Sequence, residues 1–249
     1  MDVVEEQHGR VLVIRIEREA KRNAINRSVT EGIDAALNRL EDDPELWVGI
    51  LTGTPRVFSA GTDLAAGVSL RTERGGEYGI ARRERDTPLI AAVEGPALGG
   101  GFEMALACDA IIASRTARFG LPETRRGLVA ASGALFRAAR ALPPNVAREL
   151  LISGRTLEPE RAYQLGLVNE VTEAGHALER ALALAEDICL SSPMAVRETL
   201  RALRGLTAAE DTLGWQATAQ AIDVFRASED MKEGISAFFE GRAPQWRGR

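Results

Sequence analysis

Three short apolar runs most constrain what this chain can fold into: Trp47-Val48-Gly49-Ile50-Leu51-Thr52, Pro88-Leu89-Ile90-Ala91-Ala92-Val93 and Ala110-Ile111-Ile112-Ala113. Each reads as a short, buried strand. Segments with helical spacing fall between them, so the expected class is α/β with a parallel sheet. The first helix is expected from Asn26 to about Asp42. Ser28 and Glu31 form a capping-box pattern there, and Ile33, Ala36, Leu37 and Leu40 make the apolar stripe. Upstream, Val3 to Ile16 reads as a hairpin with its turn at His8-Gly9. From about Leu135 the pattern becomes mainly helical: Ala177–Leu190, Pro193–Leu203, Ala208–Ala227 and Ser228–Glu240 all carry helical spacing. No Pro/Gly linker marks the change. The expected organisation is a core, residues 1–192, with a helical C-terminal region, residues 193–249. The segment Ala65 to Thr87 is polar and carries Arg71, Arg74, Arg82, Arg83 and Arg85. It is too long for an ordinary connection and reads as a loop over a site, a partly helical excursion or a solvated surface segment.

Composition removes several functions. A chain of 249 residues with 45% hydrophobic content can bury one sizeable core. A net charge of −5 argues against a general nucleic-acid or membrane-surface binder. Cys108 and Cys189 are too few and too isolated for a disulfide framework or a metal site, and no metal is expected. No uncharged apolar run approaches the ~18 residues of a membrane span. The stretch Met1-Asp2-Val3-Val4-Glu5-Glu6 is acidic and lacks a signal-peptide pattern, so a cytoplasmic location is expected. The chain has no G-x-S-x-G elbow, P-loop, G-x-G-x-x-G or H-E-x-x-H motif. The only histidines, His8 and His176, are distant from the glycine-rich segments, which disfavours Ser–His–Asp chemistry.

What remains is a pair of glutamates beside bare backbone. Glu103 follows a triple glycine in Gly99-Gly100-Gly101-Phe102-Glu103, between an expected strand and an expected helix. Helix N-termini present unpaired N–H groups, and glycine lets an anion or a developing oxyanion approach them. The segment Val57-Phe58-Ser59-Ala60-Gly61-Thr62-Asp63-Leu64 is a second small-residue turn after a strand. The two turns together suggest a two-donor oxyanion hole. Glu123 lies in Phe119-Gly120-Leu121-Pro122-Glu123. Both glutamates have apolar neighbours, and burial raises a carboxyl toward the neutral range that acid–base work needs.

The run from Ile90 to Asp109, through Glu94-Gly95-Pro96-Ala97-Leu98-Gly99-Gly100-Gly101-Phe102-Glu103, resembles the signature of the enoyl-CoA hydratase/isomerase (crotonase) family. Arg22-Asn23-Ala24-Ile25-Asn26 resembles its early CoA-contacting turn. Phe58 to Leu64 resembles its first oxyanion turn, and Phe119 to Glu123 its second catalytic turn. Ser153-Gly154-Arg155 and Gly166-Leu167-Val168-Asn169 match later landmarks, so the resemblance covers nearly the whole chain. It implies a crotonase-like superhelix of β-β-α turns, a helical C-terminal trimerisation region and a homotrimer or dimer of trimers. It implies an acyl-CoA substrate, coenzyme A being part of that substrate, and no separate cofactor. The thioester oxygen is expected on the N–H groups of Thr62 and Gly100. Arg22, Ala24, Ala60, Gly61, Asp63, Leu64 and Phe102 are expected to bind substrate.

Glu103 and Glu123 fall on the two catalytic glutamates of the hydratase branch. The expected reaction is therefore reversible hydration of a trans-2-enoyl-CoA to a 3-hydroxyacyl-CoA. Which glutamate does which stays open, with Glu123 favoured as proton donor. Leu142-Pro143-Pro144 and the ending Ala243 to Arg249 look like carnitinyl-CoA dehydratase-type members, so a carnitinyl-like substrate or double-bond isomerisation is the alternative. Two stretches depart from the family pattern. Thr62 stands where Ala is commoner, adding a β-branch and a hydroxyl to the pocket. Gly127 to Ala134 is less glycine-rich than usual, which bears on acyl-group preference.

Overall fold

The computed structural model describes residues 2–66 and 70–249. Part of the polar segment expected at 65–87, residues 67–69, lies outside the described residues. The strands β1 (Val3–His8) and β2 (Val11–Ile16) form the expected antiparallel hairpin, with Val3 opposite Ile16 and His8 opposite Val11. Its turn is Gly9-Arg10 rather than His8-Gly9: His8 still pairs in the ladder, and Gly9 takes the left-handed φ of 59° that the reversal needs. Helix α1 (Arg27–Asp42) buries Ile33, Ala36, Leu37 and Leu40 as expected. Its cap differs. Asn26 accepts from the Val29 N–H at 2.8 Å, while Ser28 already lies in the first turn.

The chain continues through β3 (Val48–Thr52), the two-residue strands β4 (Arg71–Thr72) and β5 (Gly76–Glu77), β6 (Leu89–Val93), β7 (Pro96–Leu98) and α2 (Gly100–Leu106). Next come β8 (Ala110–Ser114), β9 (Arg118–Gly120), α3 (Ala134–Ala141), α4 (Pro144–Ser153), β10 (Thr156–Leu157), α5 (Pro159–Gln164) and β11 (Glu170–Thr172). Three helices end it: α6 (Ala177–Cys189), α7 (Pro193–Arg226) and α8 (Glu229–Glu240). The main sheet has the order β1-β2-β3-β6-β8-β11, and all its pairs but β1–β2 are parallel.

The apolar runs are continuous because this sheet is covered on both sides. Leu12, Ile14, Leu51, Ala91 and Val93 face the core shared with α1 and α2. Val13, Val48, Ile50, Ile90 and Ala92 meet Ala177, Ala181 and Ala185 of α6. Those three alanines, four residues apart, form one small-residue face that brings α6 close to the sheet.

A second sheet, β10-β9-β7, runs across the ends of the first. Strand β7 follows β6 after Glu94-Gly95, β9 follows β8 after three residues, and β7 and β9 pair in parallel with Ala97 opposite Phe119. The unit β6-β7-α2 is the expected β-β-α turn, and it delivers the triple glycine to the C-terminal end of β7. Helix α7 corrects the sequence reading, which divided it in two. It is one 34-residue helix. Gly205, at the expected break, costs only about 1 kcal/mol relative to alanine, too little to break a helix of that length. Only Thr218 of α7 is buried. Leu203, Leu206, Leu213 and Val224 are exposed on it. Helix α8 folds back so that Gly234, where a side chain would strike the Arg126 carbonyl, lies on the turn that carries Glu123. Among the described residues no helix is long and apolar enough to cross a membrane.

Candidate active site

Two glycine turns meet at the edge of the small sheet. The turn at 57–63 is held from behind by Asn23, which is fully buried with φ 52°. Its side-chain amide donates to the carbonyls of Val57 at 2.8 Å and Phe58 at 3.2 Å, and its Oδ1 accepts from the Arg18 N–H at 2.8 Å. The Ser59 hydroxyl donates to its carbonyl at 2.8 Å. Ile25 continues the contact, donating to Gly61 O at 2.8 Å and accepting from Asp63 N at 2.9 Å. Gly61 therefore sits at φ 92°, where a methyl would lie 2.7 Å from Leu98 O and 3.2 Å from Gly100 N. The next residue of this turn, Thr62, and the first residue of α2, Gly100, each have a free backbone N–H: among the described residues neither donates to a protein acceptor. Gly101 has no room for a side chain either, since a methyl there would lie 2.4 Å from Ser59 O.

The two glutamates converge on the same place. Glu103 is on the first turn of α2 and is 1% exposed. Its Oε1 accepts from the Ser132 N–H at 2.6 Å and the Ala134 N–H at 3.2 Å. Burial pushes its carboxyl up to about 7, against the pull of those two N–H groups, the Ser132 hydroxyl and the positive charge of Arg137. Glu123 is on the 3-10 turn Pro122–Arg126, and its Oε1 approaches the site from the Gly99 side, 3.1 Å from where a methyl on Gly99 would be. Burial, then the negative charge of Glu103, push its carboxyl up to about 8. Its Oε2 is buried without a hydrogen-bond partner. Two carboxyls raised in this way titrate near neutral pH, and their titration belongs to the pair.

Sequence reasoning missed four residues here: Asn23 as the latch, and Tyr78, Ser132 and Arg137 around the pair. The Tyr78 hydroxyl is 2.8 Å from Thr62 Oγ1, and burial and the charge of Glu103 hold it protonated. Its ring lies on the triple glycine, so that a methyl on Gly100 would be 2.7 Å from Tyr78 Cζ. The Arg137 guanidinium donates to Ala81 O at 2.7 Å and leaves Nη1 buried without a partner. Beside these groups a cavity of about 350 Å³ opens toward α7, with Thr62, Tyr78 and Ser132 on one wall. The available signals were the glycine-flanked tyrosine in Gly75-Gly76-Glu77-Tyr78-Gly79 and the departure from pattern at 127–134.

The other expected residues divide. Arg22 is exposed at φ 52° and its carbonyl accepts from Ala60 N at 2.9 Å, so the two turns expected to contact the CoA are joined. Ala24 and Leu64 are half-buried and Ala60 is exposed, leaving surface for a ligand. Asp63 is committed elsewhere: its carboxylate pairs with Arg18 at 2.8 Å and so braces the turn. Phe102 requires correction. It is wholly buried with its ring 5.3 Å from that of Phe119, because α2 turns this position into the core, so it supports the site and offers no accessible surface. His8 and His176 are on the surface with Glu6 and Glu179 as partners. Cys108 and Cys189 are unpaired thiols.

Two carboxyls raised toward neutrality beside two free backbone donors can move protons next to an oxygen that gains negative charge. That chemistry suits an acyl thioester, and the chain belongs to a family built around it. The family model described as enoyl-CoA hydratase/isomerase matches residues 6–249. Among curated relatives, the mevalonyl-coenzyme A hydratase of Aspergillus fumigatus is 36% identical over 95% of this chain and 91% of its own length. An enoyl-CoA hydratase of Mycobacterium tuberculosis is 35% identical over 100% of this chain and 97% of its own. A solved carnitinyl-CoA dehydratase from Mycobacterium avium superimposes with a TM-score of 0.94 at 41% identity, covering 100% of this chain and 99% of that one. The fold is thus the crotonase fold.

Proposed function

We propose that the protein is an enoyl-CoA hydratase, a lyase that adds water reversibly to a trans-2-enoyl-CoA to give a 3-hydroxyacyl-CoA. The observation that carries the reading is the convergence of Glu103 and Glu123, both raised toward neutrality, on the unpaired N–H groups of Thr62 and Gly100. In this reading the thioester oxygen accepts from those two N–H groups, which stabilise the enolate-like transition state. A water held between the carboxyls attacks the β-carbon. Its oxygen forms the new C–O bond, one of its protons passes to Glu103, and the α-carbon takes the proton held by Glu123.

The surroundings support that division. Two N–H groups and the Arg137 charge favour the ionised form of Glu103, whereas Glu123 has an unsatisfied oxygen and the repulsion of Glu103. The exposed turns at Arg22 and Ala60 supply a path for the CoA, and no separate cofactor enters the mechanism. A homotrimer or dimer of trimers is proposed with it, supported by the apolar residues exposed on α7 and by Phe238 and Phe239 on α8.

The test is turnover by Glu103→Gln and Glu123→Gln. Each should lose a factor on the order of 10²–10⁴ in kcat, the usual worth of acid–base help. Wild-type rates in both variants would defeat the mechanism.

A further inference from the structure

Tyr78 reaches the site from a segment that the glutamate chemistry does not use. Its φ is 58°, a conformation a bulky residue rarely adopts, and Gly76 and Gly79 beside it also have positive φ. The turn is locked in place. Tyr78 N–H donates to Leu70 O at 2.7 Å, and Gly79 lies so close to α1 that a methyl there would be 2.5 Å from Thr30 O. The backbone therefore aims the ring at Gly100 and its hydroxyl at Thr62. Ser132 lines the same cavity. Three neutral hydroxyls thus line the cavity, and the backbone N–H of one of these residues, Ser132, holds Glu103.

The mutual bond of Thr62 and Tyr78 uses one of their two O–H donors, and a plain hydrocarbon acyl chain would leave the other without an acceptor. Charge narrows the choice further. The cavity carries Arg71, Arg82 and Arg226 against Glu77 and Asp223. Glu77 is engaged by Arg82 at 2.9 Å and by Arg71 at 3.5 Å. A trimethylammonium tail would meet a net positive lining. An uncharged oxygen avoids that penalty and gives the spare hydroxyl donor a partner.

We infer that Tyr78, with Thr62 and Ser132, selects acyl groups that carry a hydroxyl beyond the reacting carbons. This rests on the acyl-CoA reading above and names the substrate class for it. The test uses two matched pairs: saturated, unreactive pentanoyl-CoA and 5-hydroxypentanoyl-CoA by titration calorimetry, then pent-2-enoyl-CoA and 5-hydroxypent-2-enoyl-CoA in the hydration assay. The wild type should favour the hydroxylated member by about tenfold in Kd and in kcat/KM, the worth of one hydrogen bond to substrate. Tyr78→Phe should bring that ratio toward one, and Ser132→Ala should reduce it. A wild type that binds pentanoyl-CoA as tightly as its hydroxylated partner overturns the inference, as does a folded Tyr78→Phe variant with the full preference. Tighter binding of a carboxylate- or trimethylammonium-tailed acyl-CoA also overturns it. If neither enoyl-CoA is hydrated but the calorimetric preference stands, the hydratase reading falls and the selection by hydroxyls does not.

Discussion

Replacing Gly61 by alanine tests whether the contact between the two glycine turns matters for chemistry or only for folding. Two costs arise. Alanine at φ 92° carries the penalty of a left-handed backbone, about 1–2 kcal/mol. The new methyl would also lie 2.7 Å from Leu98 O and 3.2 Å from Gly100 N, both main-chain atoms that cannot rotate away. Ordinary carbon–oxygen contact begins near ~3.3 Å. The 57–63 turn must therefore move by roughly half an ångström from α2, carrying the Thr62 N–H with it. Overpacking of this kind costs about 1–3 kcal/mol. With the strain, the variant should lose about 2–5 kcal/mol, and in a chain of this size each kcal/mol lowers Tm by about 2–4 °C.

The catalytic consequence is separable. If Thr62 and Gly100 share one oxyanion, displacing one donor should lower kcat by a factor on the order of 10². Gly175→Ala is the control. Gly175 has nearly the same φ, 86°, but nothing within 4 Å of the added methyl, so it should show the strain and keep wild-type kcat. Differential scanning calorimetry and loss of the enoyl-thioester absorbance would read both effects. A Gly61→Ala enzyme with wild-type kcat and no more thermal loss than Gly175→Ala would refute the reasoning.

The glutamate pair also sets the pH dependence of stability. A carboxyl raised above its unfolded value near ~4.3 contributes stability that is full below that pH and lost as pH rises through the folded values, about 7 and about 8 here. The urea midpoint of the wild type should fall between about pH 5 and about pH 8.5, and that of the double variant Glu103→Gln/Glu123→Gln should be flatter. An equally steep fall in the double variant would assign the effect to other groups. Light scattering should give three or six chain masses, and Leu206→Glu with Leu213→Glu should lower that number. A monomeric wild type would defeat the assembly proposed from the exposed face of α7.

Legibility followed how local the cause was. Strands β3, β6 and β8 were readable because burial on both faces writes an unbroken apolar run. Strands β7, β9 and β10, two or three residues each, were not, because their pairing is fixed by the neighbouring chain and leaves no periodicity. The capping-box pattern at Ser28 misled for a related reason: Asn26, two residues earlier, is an equally good cap, and the start of α1 is fixed by the bonds of Ile25 with Gly61 and Asp63. In the site, the triple glycine and Glu103 share one contiguous segment and could be read together. Asn23 and Arg137 act through contacts with distant residues, at Val57–Ser59 and at Ala81, which a linear reading cannot join.

The two departures from the family pattern gain meaning only with Tyr78. Thr62 and the 127–134 stretch are far apart in the chain, and each alone is a tolerated substitution around a backbone donor. The structure places their hydroxyls on one phenol, Thr62 directly at 2.8 Å and Ser132 beside it. Without Tyr78 at its strained φ, a threonine hydroxyl on the pocket wall would face an acyl chain with no partner. Without Thr62, the buried phenol would itself lack a partner next to the carboxyls, a costly place for an unsatisfied donor. The Thr62–Tyr78 bond therefore spares one O–H, which turns to an oxygen of the substrate when the site is filled. Removing either hydroxyl should disturb acyl preference before it disturbs the oxyanion contacts, which belong to the backbone N–H groups of Thr62 and Gly100.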